Sequence, residues 1–188
     1  RSACCQRWSA ARPASIAGKA GLDVTVTALD NRQGTLVSTT DLTLKASSLD
    51  NRQAGLIGAT KALDLKVDDL DNRGGELSGN TGVTLVSKNL DNSDSGQLFA
   101  GQTLKLTVDK LINRNKGLLS AKAQLNLDGA SLDNSGGYLI SQQNQRIDLS
   151  GDLINTQGQL SSEGALDVSA ANLSNTGARL SSAAKPTV

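Results

Sequence analysis

Aliphatic residues recur along this chain with a local period of two and a long period near twenty. Locally they form alternating pairs with one residue between: Leu42/Leu44, Leu63/Leu65, Val83/Leu85, Leu104/Leu106, Leu125/Leu127, Ile147/Leu149 and Leu166/Val168. Such alternation marks a strand with one buried face. No stretch shows the three-and-four spacing of an amphipathic helix. A second apolar position falls five residues after most members of an asparagine series: Leu36, Leu56, Leu77, Leu118, Leu139, Leu160 and Leu180. In the fourth repeat the offset is six, at Leu98, so that turn carries one extra residue. A glycine usually stands before this leucine, as in Gly34-Thr35-Leu36.

The asparagine series sets the long period. The cassette reads Leu-Asp-Asn at Leu29–Asn31, Leu49–Asn51, Leu70–Asn72, Leu90–Asn92 and Leu132–Asn134. Variants complete it at Leu111-Ile112-Asn113, Leu153-Ile154-Asn155 and Leu173-Ser174-Asn175, and every step between asparagines is 20 or 21 residues. Self-similarity at a fixed period of this length is the mark of a solenoid. Each period holds about three short strands, centred on the leucine after the glycine, on the alternating pair, and on Leu-Asp-Asn. Three strands closing in some twenty residues predict an all-β chain, one rung of a parallel β-helix per repeat. Rungs at the inter-strand spacing of about 4.8 Å give a rod roughly 40 Å long. A lone rung has no neighbour for its strand edges, so stability comes only with stacking.

Period-two geometry turns Leu inward, Asp outward and Asn inward at a corner. A buried amide without partners costs about 1–3 kcal/mol, and amides one rung apart can bond to one another in a ladder. Asn31, Asn51, Asn72, Asn92, Asn113, Asn134, Asn155 and Asn175 are therefore read as a structural column. The outward Asp30, Asp50 and Asp71 are each followed two residues on by Arg32, Arg52 and Arg73. These interleaved columns make either a charge-balanced solvated face or a ligand-binding stripe.

Composition narrows the function. With 19 basic and 18 acidic residues the chain has no global field for nucleic acid or a membrane surface. No apolar run is long enough for a membrane span. Histidine is absent, which removes the commonest general base and metal ligand. Only two glutamates occur, Glu76 and Glu163, more than four rungs apart. The glycine pairs Gly74-Gly75 and Gly136-Gly137 lack the strand–loop–helix setting of a phosphate cradle. No catalytic, metal or cofactor site is expected. A polysaccharide-cleaving β-helix enzyme is the rival reading, with Asp68-Asp69 as its best acidic spot, but no insertion between rungs is long enough to build a cleft. Tyr138 and Phe99, two rungs apart, are the aromatics within the repeats, and Tyr138 with Arg32, Arg52 and Arg73 forms the candidate surface for a weak glycan or protein contact.

Residues 1–15 depart from the pattern and carry Cys4, Cys5 and Trp8; they are read as an irregular leader or a cap. Adjacent cysteines cannot staple a fold. The repeat array is assigned to residues 16–182, and 183–188 to an end cut from a longer chain. Exposed strand edges at the end rungs predict end-to-end association of the isolated piece.

The unit Leu-Asp-Asn-x-x-Gly-x-Leu-x-Ser followed by a Leu-x-Leu strand, best seen at Leu29–Ser38, Leu132–Ser141 and Leu153–Ser162, resembles the haemagglutinin repeat of filamentous haemagglutinin-type exoproteins. The resemblance implies a right-handed parallel β-helix, export by a dedicated outer-membrane partner transporter, and a fibre on or released from the surface of a Gram-negative bacterium. Relatives of that kind include adhesins, which meet host or neighbouring-cell receptors and glycans, and toxin carriers of contact-dependent growth inhibition. The family's secretion domain and toxin region have no counterpart here, so the chain reads as shaft.

Overall fold

The computed structural model describes residues 8–9 and 14–184, and all the regular structure among them is β-strand. Two parallel sheets wind around one core. The nine-stranded sheet stacks the four-residue strands Ser15–Gly18, Thr35–Ser38, Leu56–Ala59, Glu76–Gly79, Gln97–Ala100, Leu118–Ala121, Tyr138–Ser141, Gln159–Ser162 and Arg179–Ser182. The twelve-stranded sheet holds the long strands Leu42–Asp50, Ala62–Asp71, Gly82–Asp91, Thr103–Ile112 and Leu125–Asp133. Its other members are Trp8–Ser9, Leu22–Thr25, Ala28–Asp30, Gln145–Leu149, Asp152–Ile154, Leu166–Ser169 and Asn172–Ser174. The chain is thus the parallel β-helix that its repeats predict.

The three strand segments of each rung are separate near the ends and partly fused in the middle. In the five central long strands the alternating segment runs on into the Leu-Asp segment. Pairing there is interrupted by one or two residues per rung: Ser87 faces Val108, Lys88 and Asp109 are passed over, and Asn89 faces Lys110, while between Ala62–Asp71 and Gly82–Asp91 both Ser87 and Lys88 are passed over. The strand bends at this interruption, so one continuous strand supplies two faces of the rung.

Two apolar registers differ from the expectation. The inward residues of the short strands are Leu36, Ile57, Leu77, Leu98, Leu119, Leu139 and Leu160, each no more than 2 % exposed. Ile57 and Leu119 therefore take the places expected for Leu56 and Leu118, which turn outward. The cause is the corner before them. Rungs with one additional corner residue place two consecutive residues in the left-handed region, Gln53 and Ala54 (φ 56° and 61°) or Asn115 and Lys116 (φ 51° and 67°). One extra residue reverses which face every following side chain takes, and adjacent apolar residues such as Leu118-Leu119 conceal the shift in the sequence. The second difference is at Gln145, which pairs with Leu125 and Leu166 in a column otherwise aliphatic. Ile147 is the equivalent of Leu127, so the alternating pair of that rung starts two residues earlier than its apolar residues suggest.

Glycine before the short strand answers a close approach. A Cβ on Gly137 would lie 1.8 Å from the Asn113 carbonyl oxygen of the preceding rung, and one on Gly75 would lie 2.0 Å from that of Asn51. Ala178 stands at this place in the last described rung, where its N–H reaches the Asn175 carbonyl at a longer 3.4 Å. The leader or cap expected over 1–15 and the cut end expected at 183–188 lie largely outside the described residues. Within the described part, Trp8 and Ser9 pair with Leu29 and Asp30 in the same parallel register as the rungs that follow.

Candidate functional site: the corner columns and the outward faces

The corner after each Leu-Asp segment gathers all eight asparagines. The Nδ2 of each donates to the Oδ1 of the next, at 2.7–2.8 Å, in seven consecutive links from Asn31 to Asn175. The same Nδ2 also reaches backbone carbonyls: Asn113 donates to Gly117 at 2.9 Å and to Tyr138 at 3.3 Å. Six members, Asn51, Asn72, Asn92, Asn113, Asn134 and Asn155, are fully buried. Every link points the same way, so the amide dipoles add along the axis as in other hydrogen-bonded chains. The left-handed residues that follow, such as Gln33 (φ 56°) and Gly74 (φ 63°), turn the chain back under its own rung.

Outside the same corner lies a second ladder. Arg32, Arg52 and Arg73 each fork between two carboxylates, one in their own rung at 2.6–2.7 Å and one in the next at 3.4–3.6 Å. The Arg32 hydrogen bonds hold the Asp30 carboxyl below the usual range, against the opposing effect of burial. For Asp71 burial pushes upward, but the Arg73 side-chain and backbone hydrogen bonds together outweigh it and the result is a lowered pKa. Asp133 follows the same pattern: burial raises it, and Arg114 and Ser135 overcome that. Each of Arg32 and Arg73 is correspondingly harder to deprotonate, mainly through its own-rung Asp. A groove of about 590 Å³ runs along the axis beside this ladder, walled by Asp30, Asp50, Asp71 and Asp91 on one side and by Ser48, Asp69, Asn89 and Lys110 on the other. Three arginines thus bridge the four stacked carboxylates Asp30, Asp50, Asp71 and Asp91 in succession. Asp68 and Asp69 are engaged in the same way, with Lys88 at 3.4 Å and with Asn89 Nδ2 at 2.6 Å.

Tyr138 is not part of this assembly. It projects from the outward face of the nine-stranded sheet, three rungs beyond the short strand that follows Arg73. Leu118 stacks directly on Tyr138, and Phe99 and Ile140 occupy the neighbouring outward column on either side of Ser120. Phe99 is 37 % and Tyr138 39 % exposed, so the four side chains make a small apolar patch. Lys122 lies over the Phe99 ring, 5.7 Å from its centroid. Leu118 joins this patch only because of the extra corner residue, a signal the sequence carries at Asn115-Lys116 but does not distinguish from an ordinary turn.

Among the described residues no group of three or more His, Cys, Asp or Glu is placed to hold a metal ion. Nor is any helix there long and apolar enough to cross a membrane. No curated protein and no solved structure matches the chain. The haemagglutinin repeat model matches residues 7–52, 41–108, 89–157 and 149–185, which together span nearly the whole sequence. The matched residues include every asparagine of the buried amide ladder, and the chain belongs to the haemagglutinin repeat family.

Proposed function

We propose that this chain is a non-enzymatic stalk segment of a large secreted exoprotein of the filamentous haemagglutinin kind. It holds binding or toxic elements away from the surface of a Gram-negative cell. The observation that carries this reading is the unbroken register: every step between successive asparagines is 20 or 21 residues, and the extra residue is taken up at a corner, after the asparagine in three rungs and at Ser150-Gly151 in the rung from Asn134 to Asn155. Rungs of this kind convert chain length into reach at about 4.8 Å per repeat. Each rung contacts only its neighbours, so the chain can pass a partner transporter in the outer membrane unfolded and wind up outside, one rung on the last. The asparagine column serves that structure, by closing each corner without an orphaned polar group.

The test is a replacement within the full-length exoprotein. Exchanging these repeats for the same number of rungs from an unrelated β-helix leaves adhesion or toxin delivery intact if the segment is a spacer. Loss of activity despite normal surface display overturns the reading. A second role is favoured by the patch of Phe99, Leu118, Tyr138 and Ile140, whose exposed rings suit the face of a sugar or a small apolar protein contact. Tyr138→Ala would abolish a glycan-array signal if that patch binds; unchanged signal, or none from the parent chain, removes it.

A further inference from the structure

Stacking rungs in register puts like charges directly above one another at five places in the paired strands. Four are acidic: Asp30 on Asp50, Asp50 on Asp71, Asp71 on Asp91, and Asp128 on Asp148. Like charges directly opposite one another across neighbouring strands are destabilising, and each of these four pairs has an arginine between its members. Arg32, Arg52 and Arg73 serve the first three, and Arg146 reaches both Asp128 and Asp148. The fifth pair is Lys45 on Lys66. Neither lysine takes part in an ion pair among the described residues, although both lie outward and exposed.

The surroundings of that pair are concave and rich in hydroxyls. Thr25 continues the lysine column one rung earlier. Thr25, Thr27, Lys45, Ser47 and Lys66, with the apolar Val26 and Ala46 between them, line a depression of about 340 Å³ at the strand bend. Asp68 also lines it, but its carboxylate is met by Lys88 at 3.4 Å. Asp23 and Asp64 stand two residues before Thr25 and Lys66, on the same outward face.

We propose that the counter-charge missing from the fifth pair comes from outside: Lys45 and Lys66 bind a compact oxyanion, a phosphate or sulfate monoester carried on a small polar molecule such as a sugar. Two ammonium groups, one above the other, supply charge-assisted hydrogen bonds to different oxygens of one tetrahedral group. The Thr25, Thr27 and Ser47 hydroxyls face the remainder of the ligand. Asp23 and Asp64, in the adjacent outward column, set the selectivity, because a long polyanion laid along the lysine column would pass both carboxylates while a single group between Lys45 and Lys66 is flanked by Asp64 alone. The site goes beyond the spacer role and is independent of it.

The experiment titrates the purified 188-residue chain with glucose 6-phosphate, glucose 6-sulfate, glucuronate and a heparin oligosaccharide at constant chloride, by calorimetry and thermal shift. The two monoesters saturate in the millimolar range, with glucuronate weaker. Lys66→Gln weakens monoester binding about tenfold, the size of one lost charge-assisted contact. Lys105→Gln, an outward lysine stacked between Thr84 and Asn126, leaves it unchanged. A second readout separates binding from simple repulsion. Without a multivalent anion, Lys66→Gln melts above the parent chain; with saturating glucose 6-phosphate the parent gains and the variant does not. Absence of saturation, unchanged binding by Lys66→Gln, or tighter binding of heparin than of the monoesters overturns the proposal. The phosphate and sulfate arms show which monoester the site prefers.

Discussion

Replacing Asn113 by leucine isolates the contribution of the amide ladder, because the two side chains are similar in size and differ in polarity. Asn113 is fully buried. Its Oδ1 accepts from Asn92 Nδ2 at 2.8 Å, and its Nδ2 donates to Asn134 Oδ1 at 2.8 Å and to Gly117 at 2.9 Å. After the change Asn92 keeps its bonds to Gly96 and Leu118, at 3.0 and 3.2 Å, and loses one of three. Gly117 keeps the Tyr138 N–H at 2.8 Å. Asn134 Oδ1, fully buried, loses its one side-chain donor. One orphaned acceptor and one partly satisfied amide, at about 1–3 kcal/mol for a fully orphaned group, sum to roughly 2–4 kcal/mol. For a chain of this size that is a fall in Tm of about 5–15 °C, read by far-UV circular dichroism. Asn175→Leu, in the half-exposed last link, falls by much less. Asn113→Asp adds a pH signature. Burial raises the pKa of the new carboxyl in the folded state above its unfolded value. Its penalty therefore grows as pH rises through that folded value and fades on acidification. An Asn113→Leu chain that melts within about a degree of the parent would refute the ladder's energetic role.

Gln145 is the reverse case: it is fully buried, and neither Nε2 nor Oε1 has a partner among the described residues. Gln145→Leu, which restores the aliphatic column, should raise stability by about 1–3 kcal/mol in urea unfolding; a loss would mean that the amide is satisfied in solution. Gly137→Ala should cost about 3 kcal/mol or more, since the new methyl overlaps a backbone oxygen that cannot yield, and a melting curve like the parent's would contradict the close approach. Acidification tests the outer ladder. Asp30, Asp71 and Asp133 have lowered folded-state pKa values, so their contribution is complete above the ordinary carboxylate value of about 3.9 and disappears as pH falls below it through the folded values. Tm should therefore decline below about pH 4, and Arg73→Gln should flatten part of that decline; a pH-independent Tm would refute the coupling.

Much of this architecture is legible in the sequence because a parallel stack repeats one local decision. Leu-Asp-Asn at constant spacing specifies inward, outward and inward again, and equivalent residues can only lie above one another. The asparagine column and the Asp/Arg interleaving are visible for the same reason. What is hidden depends on single residues at corners. Whether Asn115 and Lys116 both turn left-handed decides that Leu119, and not Leu118, is buried, yet both are leucines. The polar Gln145 is masked by nearby Ile147 and Leu149, which offer a more apolar but misplaced register. The lysine stack is hidden too: Lys45 and Lys66 are 21 residues apart in segments that look ordinary, and only pairing shows one directly above the other.

Distances along one outward column test the stacked shaft most directly. With Cys4 and Cys5 replaced by serine, spin labels are placed at Ser161 paired in turn with Ser120, Ser78 and Val37, which lie two, four and six rungs away on the nine-stranded sheet. Pulsed electron resonance should give separations that grow linearly, by about 4.8 Å per rung, whether the rungs hold 20 or 21 residues. Separations that stop growing with rung number, or broad distributions without a trend, would contradict it.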